Sequence, residues 1–222
     1  MEEFPDVEVK LEAPGVAIGW VEAEACANGP SPEPLAAALR SAVEAAVAAK
    51  DSAESAARKA AVRDMLRFGA YKPTGRGKPA SEYLLNAAAC GEFPVISALV
   101  DINNLVSVSS LLPISIVDLN LAGADAFSVR RGREGESYVF NPSGQVLELK
   151  DLLLAASGPG DRACASPVKD SQATNTHAGT KRAFAIVYAP HALAAQAAAA
   201  AALMAELVEE HCGARARWGG LP

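Results

Sequence analysis

Apolar and polar positions alternate at the start of the chain. Val7 to Leu11 and Val16 to Ala25 read as two strands separated by Pro14-Gly15. In the second, the acids Glu22 and Glu24 recur at every other position, which predicts one exposed face. A helical period follows. Ser31 is placed to cap a helix with Pro32 at its first position and Glu33 in its first turn, running to about Lys50. A second helix covers Ala53 to Arg67. The segment Arg67 to Ala80 holds three glycines and two prolines and predicts a loop. Ser81 and Glu82 open a third helix, which Gly91 ends, and a fourth covers Leu99 to Ser109. Ile114 to Leu121, Ala126 to Arg130, Glu136 to Asn141 and Gln145 to Leu149 are short strand candidates, and Ala183 to Tyr188 is the clearest buried strand. Pro190 opens a last helix that runs to His211 and closes at Cys212-Gly213; the tail Ala214 to Pro222 offers only Trp218 as an anchor. No fixed-period repeat interrupts this order. The expectation is one α/β domain, a mixed sheet layered with helices: N-terminal strands and helices over 1–66, a core over 67–189 and a C-terminal helix over 190–212.

Composition adds limits rather than a function. Of 222 residues, 50% are apolar and 21% charged, enough for one sizeable core. Cys26, Cys90, Cys164 and Cys212 are scattered, without a C-x-x-C pair or a histidine at ligand spacing, so neither a metal site nor a disulfide framework is expected. The acidic start, MEEFPDVEVKLEAPG, has no apolar signal region, and the alanine-rich stretch Leu193 to Leu207, broken by Gln196 and Glu206, reads as too short and weakly hydrophobic for a bilayer. A cytoplasmic protein with reduced thiols and no membrane or DNA partner is expected. The net charge of −6 is unevenly placed: Arg58 to Lys78 holds seven basic residues against Asp64 alone. Lys59, Arg63 and Arg67 recur every four residues and share a helix face. A solvated face is the plainer account of such a stripe; phosphate contact is the functional one, and it needs only local positive charge.

The polar run from Asp170 to Thr180, DSQATNTHAGT, is the strongest chemical feature. Seven of its eleven side chains hydrogen-bond without being fixed charges, while Ala173, Ala178 and Gly179 leave room beside them. Such a run builds a small polar pocket. Ser109, Ser110 and Ser115 lack a G-x-S-x-G context, and Gly69, Gly75 and Gly77 form neither a P-loop nor a dinucleotide fingerprint. Plain structural roles compete: Asp101 and Asp118 as caps, Asn103 and Asn104 on backbone groups, Arg130 with Glu136 as an ion pair, His177 as a surface residue.

Four segments in order carry a resemblance: YKPTGRGKPASEYLL (71–85), LVDINNLVSVSSLLPISIVDL (99–119), RRGREGESYVF (130–140) and KDSQATNTHAGT (169–180). They are similar to the editing domain of the phenylalanyl-tRNA synthetase beta subunit, and more closely to its freestanding relatives. The V-D-x-x-N run falls at Val100 to Asn104 and the P-x-x-x-x-D turn at Pro113 to Asp118. The resemblance implies hydrolysis, in trans and without a cofactor, of the ester joining a wrongly chosen amino acid to tRNA. The implied partners are the mischarged tRNA and an aminoacyl-tRNA synthetase. It assigns Asn104, Gln172, Thr174 and His177 to catalysis, and Asn103, Ser115, Asp118, Lys169, Asp170, Ser171, Thr176 and Thr180 to substrate binding. Lys59, Arg63, Arg67, Lys72, Arg76 and Lys78 are assigned to tRNA phosphates. In one respect the chain departs from the pattern: the synthetase turn P-L-H-A-F-D carries a histidine where this chain has Ser115. The expected chemistry is therefore a water held by neutral groups. A non-catalytic tRNA-binding module and a binding protein for a free amino acid both stay open.

Overall fold

In a computed structural model, which describes residues 6–222, the alternation of patterns resolves into ten strands and six helices among the described residues. Met1 to Pro5, the acidic start, lies outside the described residues. In chain order the elements are β1 (Glu8–Leu11), β2 (Val16–Glu24), α1 (Glu33–Ala49), α2 (Ala53–Leu66), α3 (Ala80–Ala89), α4 (Ala98–Ser110), β3 (Ile114–Asp118) and the single turn α5 (Leu119–Ala122). There follow β4 (Ala126–Arg131), β5 (Ser137–Val139), β6 (Val146–Glu148), β7 (Leu153–Ser157), β8 (Arg162–Ala165), β9 (Arg182–Pro190), α6 (Ala194–Cys212) and β10 (Arg215–Leu221).

Strand β9 shows why the fold is layered. Its residues are buried from Arg182 to Ala189, so both of its faces are covered. It is a middle strand of an antiparallel sheet of order β10-β2-β9-β3. One face of this sheet takes α6: a Cβ on Gly19 would lie 2.3 Å from Ala197 O, so only glycine lets the alanine-rich helix lie so close to β2. The opposite face meets the second sheet, of order β1-β4-β7-β8, where β1 and β4 are parallel and the other pairs antiparallel. Phe184 of β9 and Phe127 of β4 stack across this interface with centroids 4.5 Å apart. A two-stranded ribbon, β5-β6, extends from it.

The two sheets are also joined by a seam of charges. Glu22, expected on an exposed face, is 2% exposed. Its carboxylate accepts from Val7 N at 3.3 Å and from Arg217 at 2.7 Å, and faces Arg182 at 3.5 Å. Arg182 in turn donates to Asp125 at 2.8 Å, in the turn that leads into β4. The alternation of acids was real, but their face looks into the sandwich because arginines on β9 and β10 neutralise it. Burial pushes the Glu22 carboxyl above its usual range.

Other expectations needed correction. Ser31 does not cap α1; Pro32 occupies that position, and Ser31 Oγ donates to Asp101 at 2.6 Å. Asp101 also accepts from Ile96 N at 2.8 Å, so it secures the entry to α4. The strand expected to Leu121 stops at Asp118, whose carboxylate caps α5 through Asn120 N and Leu121 N. Strands β7 and β8 had not been anticipated. Nor had β10, which takes up the expected tail: a Cβ on Gly219 would lie 2.6 Å from the Trp20 indole, so the glycine makes room for that ring. The last helix, with the turn before it, is long and apolar enough by length and composition to cross a membrane, contrary to the reading of that stretch. In this fold Ala197, Ala200, Ala201, Met204, Ala205 and Val208 of that helix are buried, with its contacts falling on β2, β10, β9 and α4.

Candidate functional site

Strand period divides the expected pocket in two. Successive side chains on β3 point to opposite faces, so Ser115 looks towards the second sheet while Asp118 looks away from it. The polar run Asp170 to Thr180 passes both, and its two ends serve different clusters.

At the first end, Asp170 enters the space between the sheets. Its carboxylate accepts from Ser166 N at 3.1 Å and from Ile116 N at 3.3 Å, which ties β3 to the segment after β8. The residue as a whole is half-buried, but the carboxyl itself is enclosed. Desolvation pushes its pKa up to about 6, partly offset by the Ser115 hydroxyl and the two backbone donors. Ser115, 1% exposed, donates to Ser166 O at 3.1 Å. Tyr138 donates to Lys169 O at 2.6 Å, and Tyr188 Oη approaches Ser115 without a hydrogen bond of normal geometry among the described residues. Burial pushes both phenols well above their ordinary range.

Just beyond Asp170 the chain makes a 3-10 turn over Gln172–Thr174, capped by Ser171, whose Oγ accepts from Ala173 N at 3.3 Å. This turn forms one wall of an open groove of about 580 Å³. Ser137, Tyr138 and Val139 of β5, with Arg162 and Ala163 of β8, form the rest. Gln172 and Ala173 are exposed there, while the Thr174 hydroxyl turns inward to Cys164 O at 3.0 Å. Among the described residues, Arg162 is the one charged residue lining it, donating to Leu121 O at 3.3 Å.

At the second end, Thr180 donates to Asp118 Oδ2 at 2.6 Å and accepts from His177 N at 2.8 Å. His177 Nδ1 accepts from Gly179 N at 3.0 Å, which leaves the proton of the neutral ring on Nε2, 3.4 Å from Asp118 Oδ2. Both ring nitrogens therefore face the protein. Asn28 holds this turn, donating to His177 O at 2.9 Å while accepting from Leu99 N at 3.2 Å. Thr176 is half-buried between the two ends.

The remaining expected residues lie apart from the groove lining. Asn103 and Asn104 are buried on α4, bonded to each other at 3.3 Å, with Asn103 Oδ1 lacking a protein partner among the described residues. Lys59 and Arg63 lie one turn apart on α2, while Arg67, expected on the same helix face, is the extended residue just past its C-terminal end. Lys59 donates to Lys50 O, Arg63 forks onto the buried Glu82, and Arg67 pairs with Asp64. Lys72, Arg76 and Lys78 lie on the loop before α3, and Lys169 sits over the Phe140 ring at 3.9 Å. Arg130 does bind Glu136, and Asp161 as well. Of the expected residues, the structure thus gathers Ser171, Gln172 and Thr174 at the groove. Ser115 and Asp170 stand behind it, and Asp118, His177 and Thr180 elsewhere. Ser137, Tyr138, Arg162 and Asn28 were not expected at the site; Ser137 and Tyr138 lie within the 130–140 segment of the resemblance, and Asn28, before Gly29-Pro30, carried the signal of a turn.

Residues 74–213, more than half of the chain, match the family model of the B3/4 domain, the domain type found in the phenylalanyl-tRNA synthetase beta subunit. A search of curated proteins found no match.

Proposed function

The chain belongs to the B3/4 domain family, and on that premise we propose that it is an aminoacyl-tRNA deacylase acting in trans. It hydrolyses the ester that joins a wrongly chosen amino acid to a tRNA charged by a separate synthetase. The observation that carries this reading is the groove that the neutral turn Ser171 to Thr174 lines together with Arg162 of β8. Its volume, about 580 Å³, suits a terminal nucleoside with an amino acid attached. An aminoacyl ester is already activated, so the protein's task is to hold it, place a water and stabilise the developing oxyanion. Gln172 and Ser171 suit the first two roles and the Arg162 guanidinium the third. Thr174 braces the turn, Asp170 holds it from behind, and Asn104 and His177 are supporting residues outside the groove. The need for such an enzyme is physical: one methylene discriminates by only about 1–3 kcal/mol in an apolar pocket, so a second site must clear errors.

One observation favours a second reading, a tRNA-binding module without hydrolysis. Ser115 replaces the turn histidine, and its buried hydroxyl is shared between Ser166 O and the Asp170 carboxyl. The two readings separate when the protein is incubated, without ATP, with tRNAs mischarged with small, branched and aromatic amino acids. The deacylase reading expects at least one ester to be lost well above its spontaneous rate. Binding with every ester intact supports the module, and neither binding nor loss overturns both.

A further inference from the structure

A bare sheet edge offers unpaired N–H and C=O groups to any strand that can reach it. Three edges of the two larger sheets are short or covered. β1 and β8 have four residues each, and β3, all of it buried, is overlaid by the polar run through Ile116 N on Asp170 and the bridge between Val117 and Asn175. β10 differs. Its seven residues pair with β2 in an unbroken register, and its other edge carries no strand among the described residues. Two usual guards are missing: no proline falls within β10, and Arg215 and Arg217 turn in to Glu24 and Glu22.

Strand period sorts the side chains of β10. Arg217 and Gly219 share a face with their partners Glu22 and Trp20, and the Trp20 indole covers Gly219. Trp218 and Gly220 look to the α6 side, where a Cβ on Gly220 would lie 3.7 Å from Ala198. Both tryptophans of the chain, with the carboxylates of Asp6 and Glu22 and the Arg217 guanidinium, line a groove of about 580 Å³ at this edge. Trp218 is 50% exposed. An indole half in water beside a bare edge has the chemistry of a contact surface.

We infer that a second copy of the chain covers this edge, β10 against β10 in antiparallel order, about a two-fold axis that passes through Trp218 perpendicular to the sheet. Trp218 is the midpoint of the strand, so this register pairs all seven residues. It sets Arg217 opposite Gly219, Ala216 opposite Gly220 and Arg215 opposite Leu221, and no two arginines are directly opposed. An axis through Arg217 would instead set two guanidiniums face to face. Charge fits as well: Arg217 of one copy comes to the Trp20 indole of the other, beside the Asp6 and Glu22 carboxylates. The two Trp218 rings meet on the opposite face. With strands about 4.8 Å apart, the two copies of α6, each lying on β2 and β10, fall about 10 Å from one another, a distance at which helices pack. Ala198, with Ala195 and Ala202 a turn to either side, leaves room for that approach.

Sedimentation equilibrium of the full chain over a concentration series tests this. The parent is expected as a dimer that dissociates on dilution, its tryptophan emission moving to longer wavelength as both indoles are uncovered. Trp218→Lys and Trp218→Glu should each weaken association about thirtyfold or more, because like charges then face each other across the axis. Both should keep the parent's circular dichroism, since the side chain is half exposed. Mixed in equal amounts, the two variants should associate again, because position 218 of one copy faces position 218 of the other. A parent that stays monomeric overturns the inference and leaves the edge to a strand of another protein. A dimer that both variants leave intact overturns it too, as do folded variants that stay apart when mixed. The dimer requires no tRNA, so it stands or falls separately from the deacylase reading.

Discussion

Replacing Arg182 with methionine is expected to lower the free energy of unfolding by about 3–5 kcal/mol, the range for removing one partner of a buried ion pair. Arg182 is 7% exposed at the start of β9, and its guanidinium reaches Glu22, Glu24 and Asp125. Methionine fills similar volume, so the loss is electrostatic rather than a cavity. Arg217 remains on Glu22, but from the more exposed edge strand β10, and Glu22 is left with less compensation for its burial. Acidification should shrink the deficit, because a carboxyl already raised by burial becomes easier to protonate when its cation is removed. Urea unfolding at pH 8 and pH 5 measures both effects; a deficit below about 1 kcal/mol at pH 8 would show that the seam is incidental to the sandwich.

Acidification through pH 6 should also stabilise the parent protein through Asp170. Its carboxyl, pushed up to about 6 in the folded chain, titrates near 3.8 when unfolded. A carboxyl raised on folding contributes fully below its unfolded pKa, and that contribution is lost as pH rises through about 6. The expected fall in unfolding free energy between pH 4 and pH 8 from this group is up to about 3 kcal/mol. Glu22 contributes in the same direction, so the comparison is made against Asp170→Asn, in which the Asp170 share should vanish. Equal pH dependence in parent and variant would mean that the carboxyl is solvated after all. A buried carboxyl behind a polar turn is an energetic cost, tolerated here because it satisfies two backbone donors and so ties β3 to the segment after β8.

The sequence revealed most about elements with a strong local period. Strand β9, helices α1 to α4 and the alanine-rich α6 lie within a few residues of their expected bounds, because burial and period agree there. Strand β7 was missed because Leu152 to Ala156 is a short, fully buried apolar run with no alternation to mark it as a strand. Glu22 was misread for a different reason: its partner Arg182 is 160 positions away, and nothing local announces a neutralised charge. The site was legible in part. Ser171, Gln172 and Thr174 follow one another in sequence and stay together at the groove. Ser115 and Asp118 were grouped although three positions along a strand put them on opposite faces, a separation the strand period itself contains. Arg162 reaches the groove only because the free edges of β8 and β5 approach each other, a long-range event that no motif records.

The central claim is that ester hydrolysis takes place in the groove beside the Ser171 to Thr174 turn. Its most direct test is single-turnover deacylation of the best-cleared mischarged tRNA by the parent, Gln172→Ala and Ala173→Trp, with affinity for uncharged tRNA measured in parallel. Ala173 is an exposed wall residue, so an indole there fills the groove without entering the core. The expected result is a rate reduced about tenfold or more in both variants, the scale set by losing one positioned donor or the bound geometry, with affinity retained. Parental rates with the groove filled would place the chemistry elsewhere on the molecule.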